Sequence, residues 1–295
     1  MSKQRNTVFQ AIERKHNMHR HTAILIVSLF TGITVQARDS VAEGAARQVT
    51  APVNLLHLIT SGQMDYHIAP QYAVHDPASD IFQITNGILR ISGRGYGYVA
   101  TRETYRDYHL VIEFKWGEQT WGERAAKARD SGVLVHAHGA HGSVYKTWIP
   151  CVEANLIEGG MGDIYVVNPK GALRPCCVQV EAWRDRSGEW RWRPGAPRQT
   201  ITDGRVRWLG CDEAWKDVKG FRGRRDIDVP AGEWNRLEII AQGKTLRYLY
   251  NGWLVNEAHA VAPDEGKICL QTEAAELWVR RFELLPLFRL PPPDE

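Results

Sequence analysis

This chain of 295 residues has few cysteines, no long apolar run and no helical pattern. Its five cysteines are odd in number and sparse for this length, which excludes a disulfide scaffold. The apolar run at residues 22–35 is shorter than the roughly 20 residues that span a bilayer. No window of a dozen residues shows the apolar stripe of an amphipathic helix. A globular protein without a membrane span, built from strands, is therefore expected.

An excess of charge is also missing once the chain is divided. The formal net charge is +3, but residues 1–37 carry a net charge of +4. Residues 38–295 hold 32 basic and 33 acidic side chains, a net charge of −1. This near-neutral part lacks the electrostatic footprint of a nucleic-acid-binding protein, so no nucleic-acid partner is predicted.

The N-terminal segment has the pattern of a secretory signal peptide. A basic stretch ends at Arg20, the apolar run follows, and small residues stand at Val35 and Ala37 around Gln36. We predict cleavage after Ala37 and a periplasmic or secreted product. The remainder divides into a polar linker at 38–51 and a single domain at 52–295.

Short runs of alternating apolar and polar residues, separated by turn signals, fill that domain. Asn86-Gly87 and Asn251-Gly252 each stand between two such runs and predict type I′ hairpins. Further strands are predicted at 108–116, 132–138, 151–157, 164–167, 178–183, 234–241, 267–272 and 277–285. Many short strands at this spacing predict an all-β sandwich of the jelly-roll kind.

One segment, residues 184–232, interrupts this pattern and is predicted to be an insertion. It is rich in Arg, Gly and Asp, with Trp208 and three other tryptophans among basic residues. Aromatic faces beside arginines suit sugar rings, and long loops at the rim of a sandwich often contact substrate. Packing of these tryptophans onto the sandwich is an equally open interpretation.

The densest group of polar residues lies around the centre of the chain, at 130–163. On a strand at 151–157, Glu153 and Asn155 share one face, because successive side chains alternate. His136 and His138 are likewise expected to share a face of the strand at 132–138. A carboxylate between apolar neighbours on a central strand requires a partner or a function, which makes Glu153 the first candidate.

Two alternatives arise from the same residues. Glu153-x-Asn155-x-x-Glu158 resembles the Glu-x-Asp-x-x-Glu signature of laminarinase-type glycosidases, with Asn in place of the middle Asp. A β-bulge would be needed to bring Glu158 onto the face of Glu153. A divalent cation held by His136, His138, Glu153 and Asp163 is also left open, and no cofactor is assigned.

Several stretches match a known family in their order and spacing along the chain. They are Gly97–Thr101, Tyr105–Trp116, Asp130–Gly132, Cys151–Asp163, Gly232–Asn235, Tyr250–Gly252 and Gly266–Glu273. Together they resemble the secreted 3-keto-disaccharide hydrolase family, whose fold is a concanavalin-like jelly roll. The likeness covers about residue 80 to Leu287. Asp130 departs from it, because that family usually has Asn before Ser-Gly.

This resemblance implies chemistry on a sugar oxidised at carbon 3, where the ketone acidifies the hydrogen on carbon 2. A base removes that proton, and the enolate then expels the glycosidic oxygen from carbon 1. It implies Glu153 as base or acid, Lys115 or a bound cation as enolate stabiliser, and His136 as partner acid or base. The candidate sugar-binding side chains are Asn155, Glu158, Gln271, Glu273, His138 and Trp208.

The expected partner is therefore an oligosaccharide or other glycoside. Two other functional classes remain open at this stage. One is a retaining, laminarinase-like β-glucanase acting on unoxidised glucans, and the other is a non-catalytic carbohydrate-binding domain.

Overall fold

The computed structural model describes residues 45–72 and 75–287. The predicted signal peptide at 1–37 and most of the predicted linker lie outside these residues. Within the described ranges, no helix has the length and apolar character required to cross a bilayer.

Strands account for about half of the described chain, and they are named in chain order. The first ten are β1 Arg47–Gln48, β2 Val53–Asn54, β3 Met64–Ile68, β4 Phe82–Thr85, β5 Ile88–Ile91, β6 Tyr96–Thr101, β7 Tyr105–Arg106, β8 Tyr108–Thr120, β9 Asp130–Ala137 and β10 Cys151–Ile157. The others are β11 Ile164–Val167, β12 Cys177–Arg184, β13 Trp190–Trp192, β14 Arg198–Ile201, β15 Gly204–Arg207, β16 Asn235–Gln242, β17 Thr245–Tyr250, β18 Trp253–Ala262, β19 Lys267–Glu273 and β20 Ala275–Pro286. Short helices are α1 Leu55–Thr60 and α2 Ala78–Ile81, with a 3₁₀ turn at Gly122–Arg124.

These strands form two large sheets, whose neighbouring strands are mostly antiparallel. Sheet I has the order β4-β5-β20-β8-β16-β17-β18, with β2 also paired to β20. Sheet II has the order β3-β6-β19-β9-β10-β11-β15-β13-β12. Strand β12 also pairs with β14 and with β18, so it joins the two sheets at one edge. The predicted all-β sandwich of the jelly-roll kind is confirmed.

Alternation along the strands decides which side chains enter the core between the sheets. On β8 of sheet I, Leu110, Ile112, Phe114 and Trp116 belong to one apolar cluster. On β9 and β10 of sheet II the members of the same cluster are Val133, Val135, Val152, Ala154 and Leu156. The intervening residues of β9 and β10 therefore point away from the core, and that surface of sheet II is called the site face.

Both Asn-Gly hairpins form where they are predicted. Asn86 and Gly87 have φ values of 51° and 75°, and Asn251 and Gly252 have values of 46° and 85°. Two successive residues at positive φ give the turn a twist that matches the paired strands. Strands β4 and β5 coincide with the alternating runs at 82–85 and 88–91, and β17 coincides with the run at 245–250. Strand β18 continues past the run at 253–255 to Ala262.

The segment at 184–232 was expected to interrupt the strand pattern, but its first half contains strands. Residues 190–207 contain β13, β14 and β15. Strands β13 and β15 extend sheet II, and β13 and β14 each pair with β12. In β13 the period of two is carried by Trp190, Arg191 and Trp192, and the long apolar stem of Arg packs as part of a strand surface. The five cysteines, which lie in the described part, are all free.

Two glycines with nearly the same φ offer a test of how tightly the sandwich is packed. Gly93 has φ +78°, and an added Cβ would lie 2.5–2.8 Å from backbone atoms of Ala275, whereas Gly87 has φ +75° and open space. Gly87→Ala should lower the free energy of unfolding by about 1–2 kcal/mol, from backbone strain alone. Gly93→Ala should lower it by a further 1–3 kcal/mol or so, because backbone must move. Urea unfolding of both variants measures the difference, and equal losses would contradict this packing.

Candidate functional site

The site face of sheet II carries a row of side chains centred on Glu153. Residues directly opposite each other in antiparallel strands share a face. Glu153 on β10 lies opposite Leu134 on β9 and opposite Tyr165 on β11, and Tyr165 lies opposite Arg205 on β15. A carboxylate, a phenol and a guanidinium therefore stand side by side across three strands. The Arg205 guanidinium lies 5.6 Å from the centre of the Tyr165 ring.

A second row, one pleat further along, places two amides beside that carboxylate. Asn155 lies opposite Gly132, and its Nδ2 donates to Glu153 Oε1 at 2.9 Å. A Cβ on Gly132 would collide with Glu153 Oε1 and with Gln271 Oε1, so both oxygens lie above this glycine. Gly132 is thus required to leave room for the two side chains. The Oε1 of Gln271 and the Oδ1 of Asn155 are buried without a protein partner.

Asp130 and Glu273 complete the acidic part of the group. Asp130 accepts a hydrogen bond from Asn155 Nδ2 at 3.3 Å and forms a buried ion pair with Arg124. Glu273 follows Gln271 by two residues on β19, so it lies on the same face and is half-buried there. We refer to Asp130, Glu153, Asn155, Gln271 and Glu273 as the polar cluster.

Burial dominates the protonation of this cluster. It raises the pKa of Glu153 to about 7, against the hydrogen bond from Asn155, and the nearby Asp130 charge adds to the rise. Burial likewise raises the pKa of Glu273 well above its ordinary value, with Asp130 contributing and Arg124 opposing. Several acids crowded in one water-poor place cannot all ionise, so the cluster holds protons near neutral pH.

Lys115 does not join the polar cluster. The core positions of β8 are its even-numbered residues, and Lys115 stands on the opposite surface of sheet I. There its Nζ lies 5.1 Å from the centre of the Trp234 ring. The expected role beside Glu153 is therefore wrong, because alternation on β8 directs this side chain outward from the other sheet.

His136 is also placed away from Glu153. Its φ of 53° interrupts the alternation of β9, and the pairing register with β19 shifts between Lys267 and Cys269. The ring packs edge-on against Tyr108 in the core, and its Nδ1 lies 3.0 Å from the Pro263 carbonyl oxygen. Burial lowers the pKa of His136 to about 4, so the ring is neutral at physiological pH.

His138 follows the end of β9 and contacts neither Glu153 nor the amides. Its Nδ1 lies 3.3 Å from the His136 carbonyl oxygen and 3.7 Å from the Cys176 sulfur. Within the described residues, no three His, Cys, Asp or Glu side chains are arranged to hold a metal ion. His136 and His138 therefore do not join Glu153 in the cation site that the sequence left open.

Glu158 is buried in an ion pair instead of facing a sugar. Its Oε1 accepts from Arg129 Nη1 at 2.6 Å, and its Oε2 accepts from the Gly220 amide at 3.0 Å and from the Arg129 amide at 3.3 Å. Both oxygens are thus occupied by donors of the protein. The expected sugar-binding role is wrong, and Glu158 instead fastens the insertion to the end of β10.

Trp208 is half-buried and packs against the core cluster, while its backbone amide donates to Asp163 Oδ1 at 2.9 Å. This supports packing of the tryptophans onto the sandwich. A cavity of about 480 Å³ lies in the insertion, and the residues that line it include Trp183, Arg191 and Arg225. None of the residues of the polar cluster lines this cavity.

Residues 138–150 form a segment that covers part of the site face, called the cover loop. Its Val144 and Ile149 cluster with Leu134 and Cys269, and Leu134 is the neighbour of Glu153. The polar cluster therefore borders the apolar patch that Leu134 and Cys269 form with the cover loop. An apolar surface with a few convergent polar groups is typical of small-molecule sites.

Three residues of the candidate site were not predicted from the sequence: Arg124, Tyr165 and Arg205. Arg124 lies in a 3₁₀ turn before β9, and nothing local predicts that it reaches Asp130. Tyr165 and Arg205 are each unremarkable strand residues until the pairing β10-β11-β15 is known. The alternation of β11 was visible, but the register that joins these strands was not.

The chain matches the model of a 3-keto-alpha-glucoside-1,2-lyase-like domain over residues 61–285. It belongs to this family. The resemblance seen in the sequence is confirmed, and membership makes the chain a carbohydrate-active, glycosyl-hydrolase-like protein. No curated protein sequence matches it.

Several solved structures are similar in fold. A glycosyl hydrolase candidate from Parabacteroides distasonis is 17% identical with a TM-score of 0.41, covering 76% of this chain and 99% of its own. The carbohydrate-binding module CBM66 from Bacillus subtilis is 10% identical with a TM-score of 0.38, covering 68% and 89%. LamAcat from Zobellia galactanivorans is 7% identical with a TM-score of 0.37, covering 75% and 90%. At these values none of them contributes a role for any residue.

The raised pKa of Glu153 predicts a pH-dependent stability. The carboxyl is easier to keep protonated in the folded chain, so its contribution is complete below the ordinary pKa of 4.5 and is lost as the pH rises through about 7. Relative to Glu153→Gln, which stays neutral, the wild-type free energy of unfolding should fall by up to roughly 3 kcal/mol between pH 5 and 8. Urea titrations across this range measure the difference, and a constant difference would show that Glu153 ionises normally.

Proposed function

We propose that this protein cleaves 3-keto-glycosides, with Glu153 as the base that removes the proton from carbon 2. The observation that carries the proposal is a buried carboxyl with a pKa of about 7, held by Asn155 in a chain of the 3-keto-glucoside lyase-like family. A general base works best when its pKa lies near the working pH. An exported enzyme acting on a sugar already oxidised at carbon 3 fits the predicted signal peptide.

In the elimination step, the C2–H bond breaks and its proton passes to Glu153. The electron pair forms the C1–C2 double bond, and the C1–O bond to the leaving sugar breaks. Glu273, whose pKa burial raises well above its ordinary value, takes the role that the resemblance implied for His136 and donates its proton to the departing oxygen. Water then adds at carbon 1 and a proton returns to carbon 2, so the net reaction is hydrolysis.

Negative charge develops on the carbon 3 oxygen as the proton leaves. Arg124 forms an ion pair with Asp130, and Arg205 lies beside Tyr165 in the row of Glu153. Both arginines oppose the rise of the Glu273 pKa, and Arg205 also opposes that of Glu153. Fixed positive charge in a water-poor site stabilises an enolate strongly. These arginines take the role first considered for Lys115, and the Asn155 and Gln271 amides are placed to bind sugar hydroxyls.

The retaining-glucanase alternative is weaker, because it requires Glu158 as a second carboxylate beside Glu153. A retaining enzyme holds its two carboxyl groups about 5–5.5 Å apart, with one of them free to attack carbon 1. Both oxygens of Glu158 are occupied by Arg129 and the Gly220 amide. Asn155 also supplies no carboxylate between the two positions.

Substrate choice is the first test of the proposal. The wild type should cleave a 3-keto-disaccharide and leave the unoxidised parent intact. Glu153→Gln should lower kcat by about 10²–10⁴-fold, the usual contribution of a positioned base. Lys115→Ala is the matched control, since it removes a charge from the other sheet, and it should stay within about twofold of wild type. Cleavage of the parent alone, or full activity of Glu153→Gln, would overturn the assignment.

The pH profile is a second test of the same base. Because Glu153 must be ionised to accept a proton, kcat/KM should rise with pH and level off above its pKa of about 7. Gln271→Ala, which keeps both carboxyls, should lower activity without removing this rise. A profile that is flat from pH 5 to pH 8 in the wild type would contradict Glu153 as the base.

A further inference from the structure

The tip of the cover loop presents an exposed aromatic ring on a strained turn. Tyr145 is 78% exposed, and Tyr145 and Lys146 have φ values of 55° and 60°. Left-handed backbone costs a residue with a side chain about 1–2 kcal/mol. Two such residues in succession form a turn that Asn and Gly would adopt far more readily.

Neighbouring groups hold this turn in place. Val144 and Trp148 exchange two backbone hydrogen bonds, of 3.0 and 2.8 Å. Gln71 Nε2 donates to the Tyr145 carbonyl at 3.0 Å and to Thr147 Oγ1 at 2.7 Å. Strain that surrounding contacts maintain is typical of functional sites. The Tyr145 ring receives little packing in return, so burial of the ring does not explain its conformation.

The turn belongs to the cover loop, which packs on the site face beside Leu134, the cross-strand neighbour of Glu153. On one side His67 Nε2 lies 3.1 Å from the Lys146 carbonyl oxygen, and His67 shares a row of strand positions with Tyr98 and Gln271. On the other side Tyr165 packs against the same apolar cluster as Val144 of the cover loop. Tyr165 is the cross-strand neighbour of Glu153. The turn therefore spans the face from the His67 side towards the Glu153 row.

We propose that Tyr145 is the platform for a second pyranose ring, the one that leaves with the glycosidic oxygen. A pyranose presents C–H groups on one face and hydroxyls around its edge. A flat exposed phenol matches the C–H face, and its rigid ring loses little entropy on binding. This subsite rests on the proposed function, since it adds the leaving sugar to the site of Glu153.

The test compares two substrates that differ only in the leaving group: a 3-keto-disaccharide and the corresponding methyl 3-keto-glycoside. Tyr145→Ala should lower kcat/KM about tenfold for the disaccharide and less than twofold for the methyl glycoside, mainly through KM. Tyr145→Phe keeps the ring and should match the wild type on both. Trp253 is another exposed aromatic residue, at the tip of the β17-β18 hairpin, and Trp253→Ala is the matched control that should change neither.

An equal loss on both substrates in Tyr145→Ala, or no loss on the disaccharide, would overturn the subsite. If the wild type cleaves neither substrate, the proposed function fails, and binding then decides the subsite separately. Calorimetric titration with the unoxidised disaccharide should show about tenfold weaker binding by Tyr145→Ala than by wild type or Tyr145→Phe. Equal affinities of all three, or no binding by the wild type, would reject the platform.

Discussion

The burial of one carboxyl group, Glu153, is the constraint on which the rest of the site depends. A charged carboxylate in a water-poor place is unfavourable, so its protonated form is favoured until about pH 7. Asn155 holds one oxygen, and Gly132 leaves the space in which that oxygen lies. At neutral pH the carboxyl of Glu153 is neither fully protonated nor fully ionised. Every chemical role inferred for the neighbouring residues follows from this.

The sandwich keeps Glu153 buried because β10 is central in sheet II. One face of β10 contributes Val152, Ala154 and Leu156 to the core, and this packing fixes the strand and its register. The opposite face then has no freedom to move Glu153 away from Tyr165 and Leu134. The cover loop leads directly into the first residue of β10. At the other end of β10, the Arg129–Glu158 ion pair holds the strand in place.

Sequence patterns predicted the class of fold, and they singled out Glu153, whose role stays a prediction. They did not predict the arrangement around it. The hairpin turns and most strands depend on local alternation and on Asn-Gly chemistry, which a single segment displays. Lys115 and Glu153 both look like polar residues on strands, and only the assignment of β8 and β10 to different sheets separates them. The direction of the His136 side chain was not predicted, because its positive φ interrupts the alternation of β9. Arg205 and Tyr165 depend on strand pairing over long separations, which no local pattern encodes.

The central claim is that the reaction begins with removal of the proton on carbon 2, and solvent deuterium tests it most directly. In D₂O the wild type should convert a 3-keto-disaccharide to a product in which deuterium replaces hydrogen at carbon 2, faster than the exchange measured without enzyme. NMR of the product reports that position. A product that keeps its original hydrogen at carbon 2 would show that the glycosidic bond breaks without this step, and it would contradict the account of Glu153.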